Sequence, residues 1–274
     1  MLFIYLLIIS LILIIGILYI VYYRNTKNKN WSIVHTLPKS HKNKHQRKNK
    51  VCIISADNRI SEDITLLKNI NQKYCDINGY DFKFYDNDDI TKVNDNGCSL
   101  YQSYPPYWWK VKMVYDMMIN SDYDYLMWID SDACFHNHTI SVESLFQKNK
   151  IFIMSKDNPK YTSQFNAGIW MVKNNKIGKR FMKSWLNKYE PSRWYRKNNS
   201  WVCKYHFLPC AWSGFYYEQG AGYHLMNSSE YSPYILQLSN KILQGYQKPT
   251  KNSYTIHFAG DDKKYIKSYV KKYQ

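Results

Sequence analysis

The stretch YLMWIDSDACF, residues 125–135, decides how this chain reads. Its first five residues form a short apolar, aromatic-rich run, the pattern of a buried strand. The run ends abruptly in two carboxylates one residue apart, Asp130 and Asp132. In extended backbone, residues i and i+2 point the same way. Two carboxylates placed so repel each other unless a cation lies between them or one holds a proton. Hard oxygen ligands suit Mg²⁺ or Mn²⁺, usually beside substrate phosphates. In open α/β sheets, ligands bind at the carboxyl ends of strands, which is where this pair stands. A surface turn with two N-capping acids is the plainer alternative, and the apolar run before it speaks against it.

Strand and helix patterns alternate on both sides of this stretch. VCIIS (51–55) reads as a strand. Residues 61–80 read as a helix, with Ser61 as N-cap, Ile64, Leu67, Ile70, Tyr74 and Ile77 at helical spacing, and Gly79 as the stop. DFKFY (81–85) is a second strand, and this βαβ opening predicts a parallel sheet. Residues 86–104 are polar and read as a loop. A helix is expected over 107–119 after Pro105 and Pro106, and strands at 151–154 and 168–172. An amphipathic helix follows at 175–189, then a short helix within 215–226 and strands at 234–238 and 254–258. The expected organisation is one α/β domain over 51–264, with a basic tail at 265–274 that has a short amphipathic end.

Ahead of this domain, residues 2–23 carry no charge and are interrupted only by Ser10 and Gly16. As a helix they would span roughly 33 Å, enough for a bilayer core, so a single transmembrane anchor is expected. Residues 24–50 hold nine Lys or Arg and no acid, within a chain of net charge +17. They read as a basic stalk, either solvated or drawn to anionic headgroups. Nucleic acid is not an expected partner, since a charge run alone is weak evidence for it. The stalk predicts a cytosolic domain by the positive-inside rule. Four Asn-x-Ser/Thr sequons, at Asn30, Asn137, Asn198 and Asn227, point instead to a lumenal one. The six cysteines show no CxxC spacing, and Cys203 and Cys210 are either a short disulfide loop or buried thiols.

Several short motifs in order carry a family resemblance. The stretch from Tyr107 through Phe135, with its Trp-x-Lys helix start and Trp-containing strand ending in Asp-Ser-Asp, resembles the core of the metal-dependent GT-A glycosyltransferases. It is most similar to the galactosyl-, mannosyl- and xylosyltransferases of glycosyltransferase family 34. FNAGIWMVKNN (165–175) resembles that family's Asn-Ala/Thr-Gly strand, EQGAGYHLM (218–226) its acidic-Gln helix, and IHFAGDDKK (256–264) its His-Phe-x-Gly end. The last carries two residues between Gly260 and Lys263, as in glycogenin-like retaining enzymes.

The resemblance implies a Rossmann-like nucleotide-diphosphosugar transferase fold and a set of roles. Asp130, Asp132 and His257 would hold Mn²⁺ (or Mg²⁺). Ser55, Ala56 and Asn58 would bind the nucleotide by their position after the first strand. Lys110, Gly168, Gly260 and Lys263 would contact the donor. Glu218, Gln219 and Asn166 would lie at the reacting centre. The donor would be a nucleotide sugar, more often a UDP-sugar than a GDP-sugar. The acceptor would be a glycan, glycoprotein or glycolipid, and transfer would retain anomeric configuration. Two rivals are weighed against this reading. A haloacid-dehalogenase-type phosphatase also ends a strand in Asp-x-Asp, but on its first strand and with Thr or Val where Cys134 stands. A membrane-tethered, non-catalytic sugar-binding module would not need Asp130, Asp132 and His257 intact. The aromatic residues read mainly as core, with Trp194, Tyr195 and Trp201 as candidates for a sugar-binding groove.

Overall fold

The computed structural model describes residues 49–92, 101–157, 164–204, 213–245 and 249–273, with Ile33, Val34, Leu37, Ser99 and a few of the first seventeen positions. The chain divides into two compact units, residues 1–32 and 33–274, and the second carries the fold. Among the described residues no helix is long and apolar enough to cross a membrane. The anchor expected over 2–23 falls almost wholly outside them.

A seven-stranded sheet forms the centre. Its strands are β1 (Ile33–Val34), β2 (Val51–Ala56), β3 (Asp81–Tyr85), β4 (Tyr125–Ile129), β6 (Phe152–Lys156), β7 (Phe165–Lys173) and β10 (Ile235–Leu238), in the order β1-β10-β6-β7-β4-β2-β3. Two small sheets accompany it. β5 (Ala133–Phe135) pairs with β11 (Thr255–His257), and β8 (Trp194–Lys197) pairs with β9 (Ser200–Cys203).

The parallel sheet expected from the βαβ opening is a mixed one. β7 runs antiparallel to both β4 and β6, while the other pairs are parallel. Only residues 157–164 lie between β6 and β7, too few for a crossover connection, so the strands run in opposite directions. The basic run 24–50 is not wholly a stalk either, because Ile33–Val34 adds an edge strand beside β10.

Helix α1 (Glu62–Asn78) starts where expected. The Ser61 side chain accepts the Ile64 N–H at 3.3 Å, and Gly79 closes the helix in the left-handed region at φ 68°. Ile64, Leu67, Ile70 and Tyr74 are buried, but Ile77 is exposed on the last turn. The stretch 86–104, expected to be loop, contains a short helix, α2 (Asn87–Thr91), opened by an Asp86–Asp89 capping box. Pro106 starts α3 (Pro106–Asn120), which packs against β2 and β4 and against α4 (Lys176–Leu186).

Much of the aromatic content is core, as the composition suggested. Phe152, Phe165, Trp170, Phe181 and Trp185 are fully buried and in ring contact. The Trp185 indole N–H donates to Glu218 O at 2.8 Å, which fixes the start of α5 (Glu218–Met226). A four-residue helix, α6 (Asn240–Leu243), follows β10. The expected tail is a helix, α7 (Ile266–Tyr273), whose Ile266 and Tyr269 join a core cluster with Leu67 and Ile70 of α1. Cys203 is a free, buried thiol, and Cys210 lies outside the described residues.

Candidate active site

The Asp-Ser-Asp turn follows the carboxyl end of β4. Asp130 N–H donates to Gly168 O at 2.8 Å, and Ala133 N–H closes the turn on Asp130 O at 3.0 Å. The β5–β11 pairing sets His257 opposite Ala133, and Phe258 N–H donates to Asp132 O at 2.8 Å. A residue 125 positions downstream of Asp132 thereby comes to lie beside it, with His257 Nε2 at 3.2 Å from Asp132 Oδ1 and 3.9 Å from Asp130 Oδ2.

One ligand atom from each of Asp130, Asp132 and His257 lies within 4.8 Å of the other two, so this group could hold a metal ion. The chemistry of the donor set agrees. Gln244 Nε2 donates to Ser155 Oγ at 2.9 Å, which turns Gln244 Oε1 onto His257 Nδ1 at 2.7 Å. Nδ1 therefore carries a proton, and Nε2 faces the carboxylates. Asp130 also accepts the Trp128 indole N–H at 2.6 Å.

Positive charge gathers around the two acids. Lys110 Nζ lies 2.9 Å from Asp130 Oδ1 and 3.5 Å from Glu218 Oε1, and donates to Ala167 O at 3.3 Å. Burial works against the Lys110 charge, but Asp130 and Glu218 outweigh it and hold its pKa above the ordinary lysine value. Lys110 is thus a buried, doubly paired cation rather than a solvated helix lysine. Lys263 Nζ lies 3.2 Å from Asp132 Oδ2. Burial would raise the Asp132 pKa, yet His257 and Lys263 hold it well below the usual carboxylate range. Burial would likewise keep His257 neutral, and the pull of Asp132 and then Asp130 raises its pKa instead. Two carboxylates that draw Lys110, Lys263 and His257 to themselves make a centre suited to a hard divalent cation.

Two cavities meet at this centre. One, of about 590 Å³, runs from Ala56, Asp57, Asn58 and Arg59 at the end of β2 to Arg196, Asn199, Ser200 and Trp201 on the β8–β9 hairpin. The other, of about 670 Å³, is lined by Asp157, Asn166, Gly168, Glu218, Gln219, His257, Gly260 and Asp262 among others. Tyr107, Lys110, Asp130, Asp132 and Lys263 border both.

The sequence reading placed thirteen residues here, and twelve line one or both cavities. Ser55 does not. It is buried on β2 opposite Phe84 of β3, with its hydroxyl unpartnered. Lys263 rather than Lys264 borders the site, since Lys264 lies over the ring of Tyr265 at 5.2 Å. Glu218 is buried at 4 % exposure, not at an exposed helix start. Burial pushes its pKa up to about 7 despite the opposing pull of Lys110, and Asp130 adds to the rise. Its Oε2 is buried without a hydrogen-bond partner. Gly168 has a packing reason to be glycine, because a Cβ there would stand 2.3 Å from His257 Cε1. Gly260 takes φ +61°, opening the 3₁₀ turn Gly260–Tyr265 that carries Lys263.

Of the groove candidates, Trp201 lines the first cavity, with Arg196 over its ring at 5.1 Å. Trp194 is buried against Tyr217 and Tyr107 and anchors the hairpin. The hairpin tip is Asn198–Asn199, with both residues at positive φ (47° and 59°), the signature of a tight I′ turn. Residues of the site that were not foreseen include Asp57, Gln244 and Asp157. Asp57 accepts the Ser131 hydroxyl at 2.6 Å and caps Arg59 N–H, Gln244 holds His257, and Asp157 lines the second cavity. Asp157 follows an apolar strand just as Asp130 does, and that signal was available. Nothing local marks Gln244.

Residues 46–161 match the model of the galactosyl transferase GMA12/MNN10 family, a stretch that includes the Asp-Ser-Asp turn. No curated protein matches the chain. Among solved structures it is similar to a glycosyltransferase involved in the glycosylation of the major capsid of PBCV-1, with a TM-score of 0.54 and 14% identity. That likeness covers 80% of this chain and 99% of the other, and at this identity it is one of fold. The Drosophila β1,4-galactosyltransferase 7, solved as a mutant with manganese, UDP-Gal and xylobiose, gives a TM-score of 0.42 and 12% identity, covering 77% of this chain and 71% of that one. The apo WbbM bifunctional glycosyltransferase gives 0.43 and 14%, covering 87% and 54%. Neither of these two scores adds to the argument. The match over residues 46–161, the fold and the carboxylate turn agree in pointing to a glycosyltransferase with a fold of the GT-A type. Its family match is to glycosyltransferase family 34.

Proposed function

We propose that the protein transfers a hexose or pentose from a UDP-sugar to a glycan or glycoconjugate acceptor, with Mn²⁺ or Mg²⁺ and with retention of configuration. The observation that carries this reading is the meeting of two cavities on Asp130, Asp132 and Lys263. A nucleotide diphosphate sugar has a base and a sugar on either side of an anionic link. The first cavity, at the carboxyl end of β2, takes the nucleoside. The second takes the sugar.

Asp130, Asp132 and His257 Nε2 would hold the cation, which when bound supplies charge neutralisation at the diphosphate. Lys263, half-exposed at the border, meets the negative charge that grows on the leaving phosphate. Lys110 lies between Asp130 and Glu218, screens their mutual repulsion and fixes both. Glu218 and Gln219 lie along the sugar cavity, where a carboxylate can steady an oxocarbenium-like transition state. Trp201 and Arg196 wall the nucleoside side. The apolar segment 2–23 is proposed to anchor the enzyme in a membrane, with the glycoconjugate acceptor on the same side as its catalytic unit.

The test uses the full chain in detergent, because β1 lies ahead of residue 51 and belongs to the sheet. UDP- and GDP-sugars are presented with and without Mn²⁺, and nucleotide release is measured. Release from one donor, lost with EDTA and in Asp132→Asn, is the expected outcome. Release that survives both treatments would overturn the metal-dependent reading. NMR of the anomeric proton in the product separates retention from inversion.

A further inference from the structure

Beside the sugar cavity, β7 leaves the regular ladder. Met154 of β6 stands opposite Trp170, but the next residue, Ser155, stands opposite Asn166. Residues 167–169 therefore have no partner on β6, and the bulge turns their backbone toward the site. Ala167 N–H donates to Gln219 Oε1 at 3.0 Å, and Gly168 N–H donates to Asn166 Oδ1 at 2.9 Å. A backbone N–H can only donate, so in both side-chain amides the oxygen must face β7 and the NH₂ must face away. Both NH₂ groups then meet one atom, Asp157 Oδ2, at 3.3 Å from Gln219 Nε2 and 3.4 Å from Asn166 Nδ2. Asp157 is 4 % exposed, and its own N–H pairs with Gln164 O at 3.0 Å. A carboxylate is costly at such burial unless its oxygens accept hydrogen bonds, and here it accepts from two of the residues placed at the reacting centre.

We infer that Asp157 is a positioning residue that locks the amides of Gln219 and Asn166 in a single orientation along the donor-sugar cavity. It acts through an oxygen at a fixed point, not through its charge. This rests on the donor-site reading above. An oxygen at that point is also within reach of asparagine, whereas alanine leaves two buried N–H groups unpaired and unable to flip, since β7 holds their oxygens.

The test compares Asp157→Asn, Asp157→Ala, Gln219→Ala and the Asp157→Ala/Gln219→Ala double variant. The reaction is UDP-sugar turnover with the donor found active in the panel. Asp157→Asn is expected to stay within about threefold of the parent, and Asp157→Ala to lose about tenfold or more in kcat with little change in donor KM. The double variant should fall below Gln219→Ala by much less than the Asp157→Ala loss, because the part of that loss that runs through Gln219 is already gone and only the Asn166 part remains. ¹⁵N spectra of the side-chain amides need no substrate, and both NH₂ signals should shift in Asp157→Ala but not in Asp157→Asn. The inference falls if the two single losses multiply, if Asp157→Asn is as slow as Asp157→Ala, or if Gln219→Ala is fully active. In each of those cases the donor-site reading is judged separately, by loss of turnover in Asp132→Asn.

Discussion

Gln244 Oε1 accepts the Nδ1–H of His257 at 2.7 Å, and Ser155 holds the other end of that amide. The imidazole is therefore oriented before any ligand arrives, with Nε2 aimed at Asp132. Partners of this kind tune metal affinity by about 10–100-fold. Gln244→Ala is expected to weaken Mn²⁺ binding by that factor with the fold intact. Titration of Mn²⁺ followed by calorimetry measures it, and unchanged affinity would remove His257 from the ligand set.

Gly168→Ala tests the same imidazole from the opposite side. Its Cβ would meet His257 Cε1 at 2.3 Å and Nδ1 at 2.8 Å. The ring must move, breaking its fit to Gln244 or to Asp132. Overpacking of this kind costs about 1–3 kcal/mol. A lower Tm together with weakened Mn²⁺ binding is expected, whereas a loss of Tm alone would mean that the ring moves without leaving the carboxylates.

Glu218 ties stability to pH in the metal-free protein. Burial raises its folded pKa from 4.5 to about 7. A group whose folded pKa is raised contributes stability that is fully present below its unfolded value and lost as pH rises through the folded one. Unfolding free energy should therefore fall between about pH 4.5 and 7, by on the order of 3 kcal/mol from this group. Glu218→Gln should flatten that segment of the curve in urea titrations. A curve of the same slope in the variant would assign the titration to another group.

Trp201 is the broad apolar face on the hairpin side of the nucleoside cavity. Stacking of a base on an aromatic ring contributes about 1–3 kcal/mol. Trp201→Ala is expected to raise the Kd for UDP by about tenfold and to leave kcat at saturating donor nearly unchanged. A fall in kcat with unchanged UDP affinity would place the hairpin on the acceptor side instead.

The parts of the site that could be read from the chain are those whose meaning is local. Asp130 and Asp132 end an apolar strand, Ser61 and Gly79 bracket a helix, and Pro106 opens one. Lys110, Glu218 and His257 could be placed by motif, but their burial could not. Each looks like an ordinary helix or strand residue until its partners arrive from elsewhere. Gln244 lay beyond reach for a similar reason, since a polar residue at the end of a short helix has many uses until the imidazole opposite it is known. Ser55 shows the reverse error, in which position after the first strand suggested a ligand contact and the side chain turned inward.

What the sequence determined by itself is the alternation of strands and helices and the pair of acids at the end of β4. Both follow from residue spacing of two or three and a half positions, which the backbone enforces regardless of context. Only the tertiary structure decided that β7 runs antiparallel, that Ile33–Val34 joins the sheet, and that His257 reaches Asp132. Those outcomes depend on strand pairing between distant residues. Pairing is settled by which buried backbone groups find partners across the whole domain, and no local stretch contains both halves of that choice.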